Sequence, residues 1–508
     1  MEQTKKGFFQ RSLDRVERVG NKLPHPVTLF AILALLVIIV SAITSIFNVT
    51  VQHPGDPDEI IEVNNLLSSE GINYIFSEMT NNFIGFAPLG VVLLTMLGIG
   101  VAERSGFIGA VLRGFVLSVP QKLVTLGLVF AGVMSSVASD AGYVVLPPLG
   151  AVLFAAVGRH PLAGLTAAFS GVSAGFSANL FLSGTDVLLG EMTMDAAKII
   201  DPAYAEQMNV AMNWWFIAAS VFLLTLVGAW VTEKIVEPRL GEYTGIYREK
   251  LEKLDPIEKK GILWALVAIV VTTILAFLLV LPEGAPMRGD GERPIIESPF
   301  MQSLVPIIMI IFLIPGYVYG RVTKSIKSDK DVATQMSDTM AAMGTFIVLS
   351  FTAGQFVAFF AESNLGMVLG VYGAKFLDSI NLTGIPLIIL FIIIAAFINL
   401  FIGSASAKWA MMAPVFVPIM MGLGYSPELT QMAYRIADSA TNIITPLMTY
   451  FAIIIAFAQK YDKKMGIGTM ISVMIPYSMF FLITWTIMLI VWMLFGIELG
   501  PNGPIYYN

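Results

Sequence analysis

Two ionisable residues lie three positions apart in an otherwise apolar stretch, residues 429–456. They are Arg435 and Asp438, and on a helix they would share one face. Because an ionised side chain inside a bilayer costs at least ~2.5 kcal/mol, such residues normally face a cavity or each other. Two interpretations follow. Either the pair neutralises itself, or Arg435 binds a substrate carboxylate while Asp438 takes up a proton.

A second polar group interrupts another apolar region, at "GSASAKWA" (403–410). Ser406 and Lys408 lie in this break, Trp409 follows it, and Asn399, which can both donate and accept hydrogen bonds, precedes it. The Trp409 indole suits stacking on an aromatic substrate, although tryptophan in membrane helices is more often an interfacial anchor. Lys408 either attracts an anionic substrate or is solvated by water in an entry cavity.

The first half of the chain has comparable polar stretches. "FSANLFLSGTD" (176–186) contains Asn179 and Asp186, and "SSVASDAG" (135–142) contains Ser139 and Asp140. From its position, Asp186 is either a hydrated loop carboxylate or an acid of the site.

The stretch "SATNIITP" (439–446) follows Asp438 directly and contains Asn442 and Pro446. Proline removes a backbone donor, and the hydroxyl and amide side chains can satisfy the groups it frees. The stretch therefore predicts a functional break in the helix, with an ordinary proline kink as the alternative. Free carbonyls near Ser139 and Ser406 suit Na⁺, whereas the carboxylates suit protons, so H⁺ is the expected coupling ion and Na⁺ the alternative.

Composition identifies the environment of these residues. The chain is 56% hydrophobic and 13% charged, about half the charged fraction of soluble domains, which indicates a polytopic membrane protein. The absence of cysteine excludes disulfides and thiolate metal sites, and the three histidines, each followed by proline, have no metal-ligand spacing. We expect no cofactor and no metal site.

The apolar runs predict an all-α fold with about nine full crossings. They are 27–47, 83–102, 162–182, 214–231, 262–281, 300–319, 341–360, 429–456 and 471–495. Two further regions, 123–157 and 385–423, each consist of two short arms around a polar break and suit re-entrant hairpins. Basic residues in the N-terminal segment and in later loops predict that the N-terminus lies in the cytoplasm. We expect the chain to span the inner or plasma membrane of the cell.

Short matching motifs indicate an inverted repeat. "SDAGYVVLP" (139–147) aligns with "SAKWAMMAP" (406–414), and loop charge places the two units in opposite orientations. Inverted repeats with broken helices are typical of secondary transporters that work by alternating access.

These observations predict six segments along the chain. They are an amphipathic cytoplasmic segment 1–26, a first span and outer loop 27–82, repeat 1 at 83–232 with hairpin 117–160, a cytoplasmic loop with two scaffold or dimerisation spans 233–335, repeat 2 at 336–497 with hairpin 383–425, and a tail 498–508.

Longer motifs resemble a known family. "GRHPLAG…ANL…TDVLL" (158–189), "SAKWAMMAPVFVP" (406–418) and "YRIADSATNIITPLMTYF" (434–451) are similar to the p-aminobenzoyl-glutamate transporter (AbgT) family, over almost the whole chain. The resemblance implies nine spans, two opposed hairpins and a bowl-shaped homodimer. It implies transport of p-aminobenzoyl-glutamate, a small aromatic anion, with proton-driven export of sulfonamides as the alternative. The family's functional positions correspond to Asp186, Asn399, Ser406, Trp409, Pro427, Arg435, Asp438 and Pro446.

Other function classes fit less well. "GVSAG" (171–175) matches the nucleophile motif of serine hydrolases, but His160 is the only base near it in sequence. No nucleotide-binding motif is present, which argues against ATP-driven pumping, and paired broken repeats argue against a channel. We therefore expect a transporter, not an enzyme, with no nucleic-acid partner. The sequence leaves the direction of transport open.

Overall fold

A computed structural model describes residues 24–52, 60–138, 141–243, 253–291, 293–296, 298–445, 447–448 and 450–507. These residues are mainly helical. In the first half, the helices are α1 (Pro26–Ile46), α2 (Ser69–Ser77), α3 (Met79–Ile84), α4 (Ala87–Arg104), α5 (Phe107–Ser118), α6 (Val124–Met134), α7 (Ala141–Ala156), α8 (Pro161–Phe169), α9 (Gly184–Ala197), α10 (Pro202–Gln207), α11 (Trp214–Val231) and α12 (Glu237–Leu240).

The second half continues with scaffold helices and a second set of broken helices. They are α13 (Pro256–Leu278), α14 (Pro299–Gln302), α15 (Leu304–Thr323), α16 (Asp329–Ala342), α17 (Gly344–Glu362), α18 (Leu365–Ser379), α19 (Gly384–Asn399), α20 (Ala405–Gly422), α21 (Pro427–Asn442), α22 (Phe451–Gln459) and α23 (Ile467–Leu494). Two short strands, β1 (Thr50–Gln52) and β2 (Ile60–Glu62), form an antiparallel pair.

Seven helices in the described part of the chain are long and apolar enough to cross a membrane, or eight if the bent pair Phe107–Ser118 and Gln121–Val137 counts as one span. The seven are Pro26–Ile46, Ala87–Arg104, Trp214–Leu240, Pro256–Leu278, Leu304–Thr323, Gly344–Glu362 and Ile467–Leu494. Many of their apolar side chains are exposed, for example Leu35 at 60% and Val270 at 57%, as lipid-facing residues would be.

Two of the nine predicted crossings, segments 162–182 and 429–456, are interrupted in the structure, and the polar stretch 439–446 predicted the second interruption. In segment 162–182, α8 ends at Phe169 and continues only as a π-helical turn, Ser170–Ala174. In segment 429–456, α21 ends at Asn442 and α22 begins at Phe451. Both breaks fall in polar stretches, where hydroxyl and amide side chains compete for backbone hydrogen bonds.

The two polar breaks predicted inside short apolar arms are present. In the first region, α6 is followed by a 3₁₀ turn, Ser135–Ala138, before α7 begins. In the second, α19 ends at Asn399 and α20 begins at Ala405, where the Ser404 hydroxyl accepts a hydrogen bond from the Ala407 amide at 3.3 Å. The four interruptions, one in each hairpin region and one in each broken span, therefore coincide with polar stretches of the sequence. Several of them lie next to one another in the structure.

Glycine permits the closest helix contacts. A Cβ added to Gly98 on α4 would lie 2.1 Å from the Met309 carbonyl oxygen on α15, and one on Gly316 would lie 2.6 Å from Ala102 Cα. The backbones of α4 and α15 consequently pack directly together, as small residues allow in membrane helices.

Basic residues lie at one end of the helices: Lys234 and Arg239 follow α11, and Lys463 and Lys464 precede α23. At the end here called the basic end, α11 continues into α12 and α23 begins, and the Arg239 guanidinium binds the Ser472 carbonyl at 3.1 Å. At the opposite end, residues 497–507, called the tail, cross the starts of α11 and α21. The Phe216 amide donates to the Leu499 carbonyl at 2.9 Å, and the Ser426 amide donates to the Ile505 carbonyl at 3.2 Å. The tail therefore contacts both halves of the chain.

Candidate functional site

Helix α21 is the centre of the site, and all sixteen of its residues are buried. It begins at the opposite end, where the Ser426 hydroxyl caps it by accepting from the Leu429 amide at 3.0 Å. Pro427 occupies the first turn, a position where the missing backbone donor costs nothing. Since so polar a helix is fully enclosed by protein, its charged side chains need partners from neighbouring elements.

Arg435 finds its partner in the first half of the chain. Its Nη2 atom lies 2.6 Å from Oδ1 of Asp186, and both side chains are at most 3% exposed. Asp186 is fixed at the start of α9, where its Oδ2 accepts hydrogen bonds from the Ser183 amide and hydroxyl, each at 2.7 Å. Arg435 also donates to the Ser177 carbonyl at 3.3 Å, beside the break that follows α8.

Asp438 pairs with a different cation. The Lys408 ammonium, near the start of α20, contacts Asp438 Oδ1 and also donates to Asn399 Oδ1. Lys408 has no exposed surface. The Asn399 amide nitrogen donates in turn to the Asp438 carbonyl at 2.6 Å and to Thr441 Oγ1 at 2.7 Å. The end of α19, the start of α20 and the middle of α21 therefore meet at one buried cluster.

These contacts correct three of the interpretations drawn from sequence. Arg435 and Asp438 share a helix face but do not neutralise each other, because each pairs with a residue of another element. Asp186 is 2% exposed, so the alternative of a hydrated loop carboxylate is wrong. Water in an entry cavity does not solvate Lys408 either, since a carboxylate and an amide enclose its ammonium.

Trp409 is completely buried, and it joins three helices. Its indole stacks on Tyr434 of α21 with ring centroids 4.5 Å apart, and its Nε1 donates to Thr193 Oγ1 of α9 at 2.9 Å. Tyr434 donates to the Ala405 carbonyl at 2.6 Å. One face of the indole and its only donor are thus already occupied by protein. Contact between Trp409 and a substrate stays a prediction.

The hydrogen bond of Trp409 gives a test of this packing. We expect Trp409→Phe and Thr193→Val each to lower the free energy of unfolding by about 1 kcal/mol, the usual net value of one buried hydrogen bond. The double variant should lose no more free energy of unfolding than about the larger of the two single losses, because both changes remove the same hydrogen bond. Thermal unfolding of the detergent-purified variants measures this, and fully additive losses would contradict the contact.

The remaining predicted residues lie around the same cluster or outside the description. Asn442 Oδ1 accepts from the Asn399 amide at 3.2 Å. Ser406 is partly buried beside Ser404, with their hydroxyl oxygens 3.3 Å apart. Asn179 is buried and donates to the Ser136 hydroxyl at 3.0 Å, close to the break after α6. Ser139, Asp140 and Pro446 lie outside the described residues, so their expected roles remain predictions.

Sequence reasoning missed several residues that the structure places beside the site. Thr193 and Tyr434 hold Trp409, and Glu428 and Gln431 extend the polar face of α21 towards the opposite end. The last two had a recognisable signal, since residues 428, 431, 435, 438 and 442 recur at intervals of three or four, the spacing of one helix face.

The hydrolase motif has a simpler packing explanation. The Ser173 hydroxyl donates to Met448 Sδ at 3.2 Å, not to a base. His160 caps the start of α8, where its Nδ1 accepts from the Leu162 amide at 3.2 Å, and thirteen residues of helix separate it from Ser173 by about 20 Å. A Cβ on Gly171 would lie 2.5 Å from the Val129 carbonyl oxygen of α6. The small residues therefore serve close packing.

Chemically, the cluster brings together two cations and two carboxylates, and each cation pairs with one carboxylate. Breaking either pair exposes a guanidinium or an ammonium that can receive an anionic group, or a carboxylate that can receive a proton. Because each pair joins elements from different parts of the chain, relative movement of those elements would open it. A protein with this arrangement can couple binding of an anion to a change of conformation.

Known proteins are similar to this chain in sequence and in fold. A relative in Escherichia coli (strain K12), the p-aminobenzoyl-glutamate transport protein, is 39% identical over 489 residues, which cover 96% of this chain and 95% of the relative. The structure of the Alcanivorax borkumensis YdaH transporter matches with a TM-score of 0.89 and 43% identity, covering 94% of this chain and 100% of that one.

A second solved structure is that of MtrF from Neisseria gonorrhoeae, described as illuminating a class of antimetabolite efflux pumps. It matches with a TM-score of 0.90 and 47% identity and covers 95% of this chain and 97% of that chain. The family model of the AbgT putative transporter family matches residues 11–507. Both the sequence motifs and the fold agree with this assignment, and the chain belongs to the AbgT family of transporters.

Proposed function

We propose that this protein is a secondary active transporter that moves p-aminobenzoyl-glutamate across a cell's inner or plasma membrane by alternating access. The observation that carries the proposal is the pair of buried ion pairs, Arg435 with Asp186 and Lys408 with Asp438, built from the ends and breaks of interrupted helices. A substrate with carboxylates can compete with Asp186 for Arg435, which then binds it in place of the internal acid.

Alternating access needs two pseudo-symmetric sets of elements, and we propose that α6–α7 and α19–α20 form them as two opposed hairpins, 117–160 and 383–425. The seven continuous spans and the two broken segments, 162–182 and 429–456, together make nine crossings. The proposed inverted repeats are residues 83–232 and 336–497, with residues 233–335 as scaffold. The N-terminus lies in the cytoplasm and the protein is a homodimer in this proposal.

We propose H⁺ as the coupling ion. The Lys408 ammonium already lies between two oxygen atoms, Asp438 Oδ1 and Asn399 Oδ1, where a metal cation would otherwise bind. A second cation beside it would be repelled, whereas a proton on Asp438 would neutralise the carboxylate and release the lysine. Coupling to Na⁺ bound near Ser406 is the alternative, and the experiment must distinguish it from coupling to H⁺.

Transport in proteoliposomes tests this function. An imposed pH gradient, with Na⁺ equal on both sides, is expected to drive accumulation of labelled p-aminobenzoyl-glutamate. Asp438→Asn should reduce that transport by about 10²-fold or more, as removal of a proton-transferring group typically does. Transport driven by Na⁺ at equal pH would overturn the choice of ion, and no specific uptake under either gradient would overturn the substrate.

Export of antimetabolite drugs is the second candidate function, favoured by the 47% identity to MtrF. A sulfonamide and p-aminobenzoyl-glutamate share a para-aminobenzene ring, but only the latter carries the glutamate carboxylates. If sulfonamides are the substrate, they should inhibit uptake of the labelled compound in the same proteoliposomes and be accumulated themselves when the pH gradient is imposed.

A further inference from the structure

Helix α21 carries a continuous stripe of buried polar side chains on one face. From the opposite end inward, the stripe consists of Glu428, Gln431, Arg435, Asp438 and Asn442, all of which are at most 7% exposed. The last three belong to the site described above. The first two connect that site with the start of the helix, and neither has a role in the mechanism so far.

Glu428 is a carboxyl group with no exposed surface and, among the described residues, with no ion pair. Its Oε2 accepts a hydrogen bond from the Tyr204 hydroxyl of α10 at 3.0 Å. Burial, and next the Glu428 charge, raise the pKa of Tyr204, so the phenol keeps its proton and acts as the donor. An ionised carboxylate whose hydrogen-bond donors are all neutral is costly to bury, and taking up a proton removes that cost.

The neighbours of Glu428 set the charges that it experiences. Tyr507 of the tail packs edge-on against Tyr204, with centroids 5.1 Å apart, and donates to Asp201 at 2.9 Å. Burial and that hydrogen bond raise the pKa of Tyr507 to about 12. Two turns along α21, Arg435 is neutralised by its contact with Asp186. A second acid, Asp201, therefore lies beside the partner of Glu428, since it also accepts from the Tyr204 amide at 2.9 Å.

Between Glu428 and the ion pairs, the stripe contains buried polar atoms that still need hydrogen-bond partners. Asn213, which precedes α11, donates to Gln431 Oε1, and this leaves Gln431 Nε2 and Asn213 Oδ1 without a partner in the described part of the protein. The same holds for Glu428 Oε1, Arg435 Nε and Ser177 Oγ. Because buried polar groups are nearly always satisfied, these five atoms, three on the stripe and two beside it, are places where water would bind.

We propose that Glu428 is a second proton-binding group, which exchanges protons with the water on the side opposite the basic end and delivers them along this stripe to Asp438. The proposal rests on the proposed proton-coupled transport and adds to it the side and the route of proton entry. In the forward step, the proton leaves the Glu428 carboxyl, moves through hydrogen-bonded water and forms the Asp438 carboxylic acid. The Lys408 ammonium keeps its own proton and loses its ion pair.

Glu428→Gln provides the test, because glutamine keeps the size of the side chain and can accept from Tyr204 but cannot carry a proton. Purified variants are reconstituted with a pH-sensitive dye in the lumen, and proton movement is measured with uptake of labelled p-aminobenzoyl-glutamate. We expect Glu428→Gln to bind the substrate with the wild-type Kd. Its gradient-driven transport should fall at least about tenfold, and the dependence on pH at the opposite side should flatten.

Two further variants keep the result interpretable. Glu206→Gln changes an exposed carboxyl on the same short helix as Tyr204 and should leave transport and its pH profile unchanged. Tyr204→Phe keeps the Glu428 carboxyl but removes its donor, so the pH profile should shift without being flattened. This variant also tests the proposal if Glu428→Gln does not fold.

The outcomes separate the two proposals. If wild-type protein moves no protons with its substrate, proton coupling itself is overturned and the inference with it. If wild-type protein moves protons and Glu428→Gln moves them with the same ratio and pH profile, only the role of Glu428 is overturned. An unchanged pH profile in Tyr204→Phe, with Glu428→Gln unfolded, would likewise overturn it.

Discussion

Lys408→Met is expected to lower the free energy of unfolding by about 3–5 kcal/mol, the typical cost of leaving one charge of a buried pair without its partner. Methionine retains the apolar stem of lysine but leaves Asp438 without a cation among fully buried neighbours. Thermal unfolding in detergent at pH 7 measures the loss. Lowering the pH should recover part of it, because a protonated Asp438 no longer needs a countercharge.

The double variant Lys408→Met/Asp438→Leu distinguishes pairing from packing. Replacing both charges by apolar groups of similar volume is often neutral or stabilising, so stability should return while gradient-driven transport stays absent. Lys198→Met is the matched control, since Lys198 and Asp195 form a pair at 2.9 Å in which the lysine is 50% exposed. Its loss should be about 1 kcal/mol or less. Equal losses for the buried and exposed lysines would contradict the electrostatic explanation.

Asp186→Asn and Arg435→Gln are expected to change substrate binding in opposite directions. If the substrate carboxylate displaces Asp186 from Arg435, then Arg435→Gln removes a charge-assisted hydrogen bond and should raise the Kd for p-aminobenzoyl-glutamate by about tenfold to hundredfold. Asp186→Asn removes the competitor and should lower the Kd, while transport slows because the internal pair no longer reforms. Calorimetric titration of purified protein measures both constants.

The control for this comparison is an ion pair remote from the site. Glu237 accepts from Arg159 Nε at 2.9 Å at the basic end, so Glu237→Gln removes a similar pair without touching α21. Its Kd should remain that of the wild type. A raised Kd in Asp186→Asn would show that Asp186 supports substrate binding and does not compete with it.

Much of the fold could be predicted because the bilayer imposes simple length and polarity requirements. The long spans are recognisable from about twenty apolar residues, and the polar breaks at 403–410 and 439–446 are recognisable from hydroxyl, amide and proline residues. Hydropathy alone does not register an unwound turn, so it did not show that α8 ends at Phe169 within segment 162–182. Residues 176–182 are apolar enough to extend α8. The backbone amides of Ser177 and Asn179 instead donate to the Ser439 hydroxyl and the Ile217 carbonyl, and in a continuing helix they would donate to the preceding turn.

The sequence predicted most of the residues of the site, but it did not predict which acidic and basic residues form ion pairs. The sequence placed Arg435 beside Asp438 because three positions on a helix are neighbours. The actual partners, Asp186 and Lys408, come from segments that only the tertiary fold brings near. Glu428 was overlooked since it lies just before the apolar run and resembles the acid often found in the first turn of an ordinary helix. Periodicity in the sequence shows which face of a helix is polar, but only the tertiary packing shows which residues that face contacts.

The position of the tail has a consequence for biosynthesis. Residues 497–507 leave the ribosome after every helix they contact, yet they provide partners for the Phe216 and Ser426 amides and the Asn209 side chain. Until they emerge, the starts of α11 and α21 lack those partners. The nascent chain therefore completes this end only after α23 has been made, and translation arrest before residue 498 should yield a protein that is inserted but sensitive to added protease on that side.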